Sequence, residues 1–256
     1  MDLFFDTYLA NIYNSPSQKA RILTEDWMSR NMYCPKCGQA NISQFENNRP
    51  VADFYCENCL AQYELKSKTG SLSNKIVNGA YHTMIKRIQS NKNPDLFCLQ
   101  YSQKTQKVQN LIYIPKHFFT TEIIEKRNPL PDTAQRAGWI GCNILIGDVL
   151  EQAKIKIVSE GHVVDKRIIL AKSNKLEELN TCNLSARGWM LDVLMCINKI
   201  KNIEFSLNDM YVFENELSIK HPENNNIRPK IRQQLQFLRD KGYIEFLGNG
   251  YYMKII

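Results

Sequence analysis

The sequence predicts a mixed α/β domain with an embedded zinc site, followed by a C-terminal winged helix. Three observations predict it. Two Cys-x-x-Cys pairs, Cys34/Cys37 and Cys56/Cys59, have 18 residues between them. Short runs rich in β-branched and aromatic residues flank the second pair. From about Ser185 the texture changes to three helical stretches and a glycine-centred hairpin.

Bulk properties set the limits. A chain of 256 residues can bury one large core or two ordinary ones. Its 43% hydrophobic and 23% charged composition is that of a folded protein. No apolar run approaches the roughly 18 residues that cross a bilayer. The start, "MDLFFDTYLANIYNS", has acids where a signal peptide has bases, so a cytoplasmic protein with reduced thiols is expected. The net charge of +7 permits a polyanionic partner without demanding one.

The paired knuckles come first in the chain. Each turns sharply and offers two sulfurs, so Cys34, Cys37, Cys56 and Cys59 make the four-thiolate set of a zinc ion. A redox motif needs no second, matched knuckle, and a reducing compartment argues against disulfides. Four sulfurs leave no open position, which makes this zinc structural. Cys98, Cys142, Cys182 and Cys196 sit in apolar or mixed surroundings and read as inert thiols.

"PVADFY" and "AQYELK" read as the strands of a hairpin whose turn is the second knuckle. With Cys56 facing Cys59, Asp53 pairs with Gln62 and Glu64 lies diagonally across. Alternation puts Lys66 on the same face and Leu65 on the other. Two adjacent carboxylates favour a cation between them, and hard oxygen donors favour magnesium. An adjacent ammonium can orient a water, which suits hydrolysis of a phosphodiester. The competing reading is a solvated strand face with an ordinary Glu–Lys pair. Pro50, at motif distance before Asp53, favours the nuclease. A His-Asn-His nuclease would need a histidine beside the second knuckle, and His82, His117, His162 and His221 all lie elsewhere.

In the centre, "IVNGAYHTMIKRIQ" reads as a helix, and "LFCLQYS" and "VQNLIYIP" as buried strands of one sheet. "PLPDTAQRAGWIGCNI" holds Trp139 in a loop of small residues, either as core or as a stacking surface.

The C-terminal stretch begins with "RGWMLDVLMCINKI", whose Trp189, Val193, Cys196, Ile197 and Ile200 recur at helical spacing. "SLNDMYVFENELSIK" starts at a Ser cap and predicts a second helix. A third runs from Asn226 as cap, with Pro229 in its first turn, to Gly242. "YIEFLGNGYYMKI" alternates around a turn. In the third helix Ile227, Ile231, Leu235 and Leu238 form the inward stripe. Arg228, Lys230, Arg232, Gln233 and Gln236 lie on the flanks and outer face. Residues 226–242 carry five basic side chains against one acid. Arg and Gln can each bond two base-edge groups, so this helix is either a DNA reader or a solvated basic face.

The stretches "SQKARILTEDW", "FENNRPVADFYC", "ELKSK", "GAY", "RAGWIGCNI", "SARGW" and "KIRQQLQFLRDK" resemble the DpnI family of methyl-directed restriction endonucleases along essentially the whole chain. The resemblance implies a PD-(D/E)XK nuclease core over residues 1–182 and a winged helix over 183–256. It implies cleavage of double-stranded DNA at GATC sites carrying 6-methyladenine, in a bacterial cytoplasm. Asp53, Glu64 and the main-chain carbonyl of Leu65 would hold Mg2+, Lys66 would assist the water, and the four cysteines would hold Zn2+. Trp139 would lie near the methyl groups, and the helix from Asn226 would be a second DNA reader. No membrane and no obligate protein partner is implied. Two alternatives stay open on the residues alone: a nuclease indifferent to methylation, and a zinc-containing winged-helix regulator with an inactive core.

Overall fold

A computed structural model describes residues 1–46, 52–71, 73–180 and 183–255. Pro50 and Cys182 lie outside the described residues. The chain divides into two compact units, Met1–Glu177 and Glu178–Ile256. The division falls a few residues before the predicted boundary at 182/183, because Glu177 is tied back into the first unit by a 2.9 Å ion pair with Lys36.

The first unit opens with helix α1 (Pro16–Asn31). Pro16 occupies its first turn, where a missing N–H costs nothing. Leu23, Trp27 and Met28 face inward, and the Trp27 indole donates to the Asp2 carbonyl at 2.8 Å. Strands β1 (Ser43–Gln44), β2 (Phe54–Tyr55) and β3 (Gln62–Thr69) follow, then β4 (Lys75–Ala80) and helix α2 (Tyr81–Gln89). The remainder is β5 (Asp95–Ser102), β6 (Lys107–Ile114), β7 (Ile124–Lys126), β8 (Gly141–Leu145), β9 (Ile155–Ser159), β10 (His162–Val163) and helix α3 (Lys166–Glu177). Among the described residues the main sheet has the order β1-β2-β3-β5-β6-β9-β10, and β4, β8 and β7 form a smaller sheet.

Strands β3 and β5 run parallel, with Glu64 beside Leu96 and Lys66 beside Cys98. Leu96, Phe97, Cys98 and Leu99 are all buried, which is why this run shows no alternation in sequence. Strands β5 and β6 lie in one sheet, as their apolar runs predict, and pair antiparallel. On the inner face, the rings of Tyr63, Phe97 and Tyr113 lie 5.1–6.3 Å apart. They turn β3 so that its other face, bearing Glu64 and Lys66, looks toward α1 and α2.

Two central expectations need correction. The hairpin register pairs Phe54 with Tyr63 and Tyr55 with Gln62, not Asp53 with Gln62. The reason is the knuckle: the Cys56 N–H donates to the Ala61 carbonyl, so the turn is longer, and Leu60 takes a positive φ of 59° to close it. The predicted helix over "IVNGAYHTMIKRIQ" begins only at Tyr81. Its first part is β4, whose β-branched Ile76 and Val77 suit the pairing it makes with β8.

The second unit contains α4 (Leu184–Lys199), β11 (Glu204–Ser206), α5 (Leu207–Tyr211), α6 (Glu214–Lys220), α7 (Ile227–Asp240), β12 (Ile244–Gly248) and β13 (Tyr251–Lys254). The predicted second helix is broken in two. Ser206 caps α5 in a reciprocal pair with Asp209, and the helix stops at Tyr211 before the β-branched and aromatic Val212 and Phe213. Asn226 stands at the predicted cap of α7, but its side chain makes no capping bond. The C-terminus closes as the sequence predicts. Gly242, at φ 67°, donates to the Arg239 carbonyl and Tyr243 to that of Leu238, which satisfies two terminal carbonyls. The strand order β11-β13-β12 completes a winged helix–turn–helix.

Candidate active site

Asp53, Glu64 and Lys66 meet in one cavity of about 750 Å³. Helix α1 provides Arg21, Thr24 and Glu25, β4 provides Asn78, and α2 provides Thr83 and Arg87. Asp53 lies just before β2. Its main-chain N–H donates to the Tyr63 carbonyl at 2.9 Å, and its Oδ2 accepts from the Leu65 N–H at 2.7 Å. The Asp53 carboxylate is therefore held against the main chain between Glu64 and Leu65. Glu64 is buried, at 8% exposure. Its Oε1 lies 2.7 Å from Lys66 Nζ, and Asn78 donates to its Oε2 at 3.5 Å.

Two further groups escaped the sequence reading. Glu25 reaches the cavity from α1, where Arg21 binds one of its oxygens at 2.7 Å and Gln44 donates to the other at 2.9 Å. The hydrogen bond from Arg21 to Glu25 raises the Arg21 guanidinium above its ordinary range. An acid inside the apolar stripe Leu23–Trp27–Met28 is the one available signal, since a buried carboxylate needs partners. Asn78 carries no such signal. It arrives from β4, the segment mistaken for helix.

The four knuckle sulfurs lie within 4.8 Å of one another. Cys34 and Cys59 are 3.6 Å apart, and Cys37 and Cys56 are 3.5 Å apart. These gaps are far too long for disulfides. Tetrahedral Zn–S bonds of about 2.3 Å place sulfurs about 3.8 Å apart, so this cluster can hold zinc. The Cys37 N–H at 3.4 Å and the Tyr63 hydroxyl at 3.0 Å both contact Cys34 Sγ, suiting a thiolate. The remaining described thiols are buried ones. Burial pushes Cys98 up to about 12, Cys142 to about 11 and Cys196 to about 12, which keeps them protonated and unreactive.

Trp139 is half-buried and does not line the Asp53 cavity. Its ring lies over Gly141, where a Cβ would meet ring carbons at 2.8 Å and Arg127 Nη1 at 3.4 Å. Any side chain larger than that of Gly141 would collide with the indole. In the second unit, Ile227, Ile231, Leu235 and Leu238 are buried, while Arg228, Arg232, Gln233 and Gln236 are exposed and Lys230 is half-buried. Arg228 pairs with Glu214 at 2.8 Å and sits over the Tyr211 ring; Arg232 donates to the Tyr211 hydroxyl at 2.7 Å. Lys230 donates to Gln233 at 2.8 Å. Gln234, which the sequence reading did not single out, is buried next to the stripe.

No described helix is long and apolar enough to cross a membrane. A family model, DpnI, described as the Dam-replacing family, matches residues 1–182. A second, described as the Dam-replacing HTH domain, matches residues 185–254. Together they cover essentially the whole chain and bring a site-specific, methyl-directed restriction endonuclease at the level of the family. The HTH match agrees with the helix and strand order of the second unit. The chain belongs to the Dam-replacing family.

Proposed function

We infer that this protein cleaves double-stranded DNA at GATC sites whose adenine carries a 6-methyl group. In this reading residues 1–182 form a PD-(D/E)XK nuclease and residues 183–256 a winged-helix DNA reader. The observation that carries it is the convergence of Asp53, Glu64 and Lys66 on one cavity.

The donor set fits a hard divalent cation. Two carboxylates share the cavity, and Asp53 is held against the main chain of Leu65, whose carbonyl is a third oxygen donor. Asp53, Glu64 and the Leu65 carbonyl would hold magnesium. Bound there, the ion supplies electrostatic stabilisation to the scissile phosphate and its attacking water. The chain's own groups do the rest. The Leu65 N–H orients Asp53, and the Glu64–Lys66 contact keeps the ammonium in the cavity, where Lys66 Nζ can donate to the water and stabilise its loss of a proton. A zinc ion on Cys34, Cys37, Cys56 and Cys59 would fix the hairpin from which Asp53 and Glu64 project.

Methyl reading needs more than one contact. Burying one methyl stabilises a complex by about 0.8 kcal/mol, roughly a fourfold preference. A palindromic site offers two methyl groups, and two reading domains multiply these small preferences. Trp139 supplies an apolar, stackable surface in the first unit, and Arg228, Lys230, Arg232, Gln233 and Gln236 supply base-edge and phosphate donors in the second.

The test is a magnesium-dependent digest of two plasmid stocks, adenine-methylated at GATC or not, with an Asp53→Ala variant alongside. Cutting of the methylated stock only, abolished in the variant, is expected. Cutting of both stocks would remove methyl direction. DNA binding without cutting of either would favour a regulator with an inactive core.

A further inference from the structure

A second cavity, of about 890 Å³, adjoins the first, and Thr83 and Arg87 of α2 line both. Its character is different. Among the described residues, Lys36, Lys86, Arg87, Lys92 and Lys116 line it, with Asp95 as the one acid. These cations come from three separate parts of the chain: the first zinc knuckle, the end of α2 with the turn after it, and the segment following β6. Lys86 and Arg87 lie in the last turn of α2, where they also complement its exposed carbonyls. That local role explains neither Lys36 nor Lys116.

Asp95 offsets part of this charge but leaves the lining cations in excess, five against one. It is buried at 1% exposure, and its oxygens accept from the Lys116 N–H at 2.7 Å and the Tyr113 hydroxyl at 3.2 Å. Burial also holds its carboxyl above the usual range. Two of the lysines are positioned by anchors. Lys36 pairs with Glu177 at 2.9 Å, and Lys116 Nζ donates to the Asn91 carbonyl at 2.9 Å. Residues 59–62 of the second knuckle also line it.

We propose that this basic groove binds backbone phosphates of one DNA strand. It would seat the strand beside the catalytic cavity without contacting a base. The proposal rests on the nuclease reading of the adjacent cavity. It also gives the zinc knuckles a second task, since residues of both line the groove, Lys36 among them.

The test uses full-length protein and a duplex carrying one methylated site. Binding is measured from 50 to 200 mM salt in magnesium-free buffer, and cleavage is measured over a range of DNA concentrations with magnesium restored. Three double variants are compared: Lys86→Ala/Lys92→Ala, Lys86→Arg/Lys92→Arg, and Lys104→Ala/Lys156→Ala. The last pair is exposed and lines neither cavity, so it controls for net charge. Each lost phosphate contact lowers the slope of log K against log salt by about 0.9. The first variant is expected to lose up to about 1.8 of slope and to need more DNA for half-maximal cleavage. The arginine pair should keep the slope, and the control pair should lose less than the first. Equal slopes for the alanine variant and the control would overturn the groove. Absence of DNA binding by the unaltered protein would instead overturn the nuclease reading, and the groove with it.

Discussion

The four-cysteine cluster can hold zinc, and removing that ion should cost the first unit both stability and catalytic geometry. Cys34 and Cys56 are fully buried, and the sulfur contacts across the cluster are 3.5–3.6 Å. Two thiolates at that distance repel by about 5 kcal/mol even at an effective dielectric constant of 20. The cluster therefore cannot stay ionised without a cation. Apparent zinc affinities in four-ligand sites are worth about 10–16 kcal/mol, comparable with the whole stability of a domain at about 5–15 kcal/mol. A loss of only about 5 kcal/mol would lower the Tm of a unit this size by about 10–20 °C. The assay is thermal unfolding in magnesium-free buffer, before and after chelation, with bound zinc counted by metal analysis. Cleavage is then measured after magnesium alone is returned. A Cys56→Ser variant gives the same comparison without chelator. A zinc-free protein with unchanged Tm and undiminished Asp53-dependent cleavage would refute the reasoning.

Two further outcomes are expected. Leu235→Ala removes a fully buried side chain from α7 and should cost the second unit about 2–5 kcal/mol by urea denaturation, with little effect on melting of the first. Arg232→Ala and Gln236→Ala remove exposed groups from the same helix and should leave stability within about 0.5 kcal/mol. If either reads a base edge, affinity for the correct site should fall by about 1–3 kcal/mol while non-specific binding falls less. Equal losses on all sequences would reduce that residue to a phosphate contact.

The parts legible in the sequence are those set by short-range geometry. The knuckle spacing alone brings four sulfurs within reach of one ion. Alternation alone puts Glu64 and Lys66 on one face of β3, and the same holds for the inward stripe of α7 and the glycine that ends it. Register was harder. The expected Cys56–Cys59 facing was wrong because the knuckle uses residues 56–61, with Leu60 in a left-handed conformation, to pass from one strand to the next. The helix expected from Ile76 was wrong because β4 finds its partner in β8, more than sixty residues along the chain. No local pattern announces a pairing of that range.

The sequence by itself therefore determined the chemistry at hand: a thiolate cluster, two carboxylates with an ammonium beside them, and a basic helix in a winged-helix order. Only the tertiary structure decided what encloses that chemistry. It brought Glu25 from α1 and Asn78 from β4 to the Glu64 face, and it joined Lys36, Lys92 and Lys116 into one basic groove. The physical reason is range. Turn geometry and side-chain periodicity act over a few residues, whereas enclosure depends on which distant helix or strand buries its apolar face against the sheet.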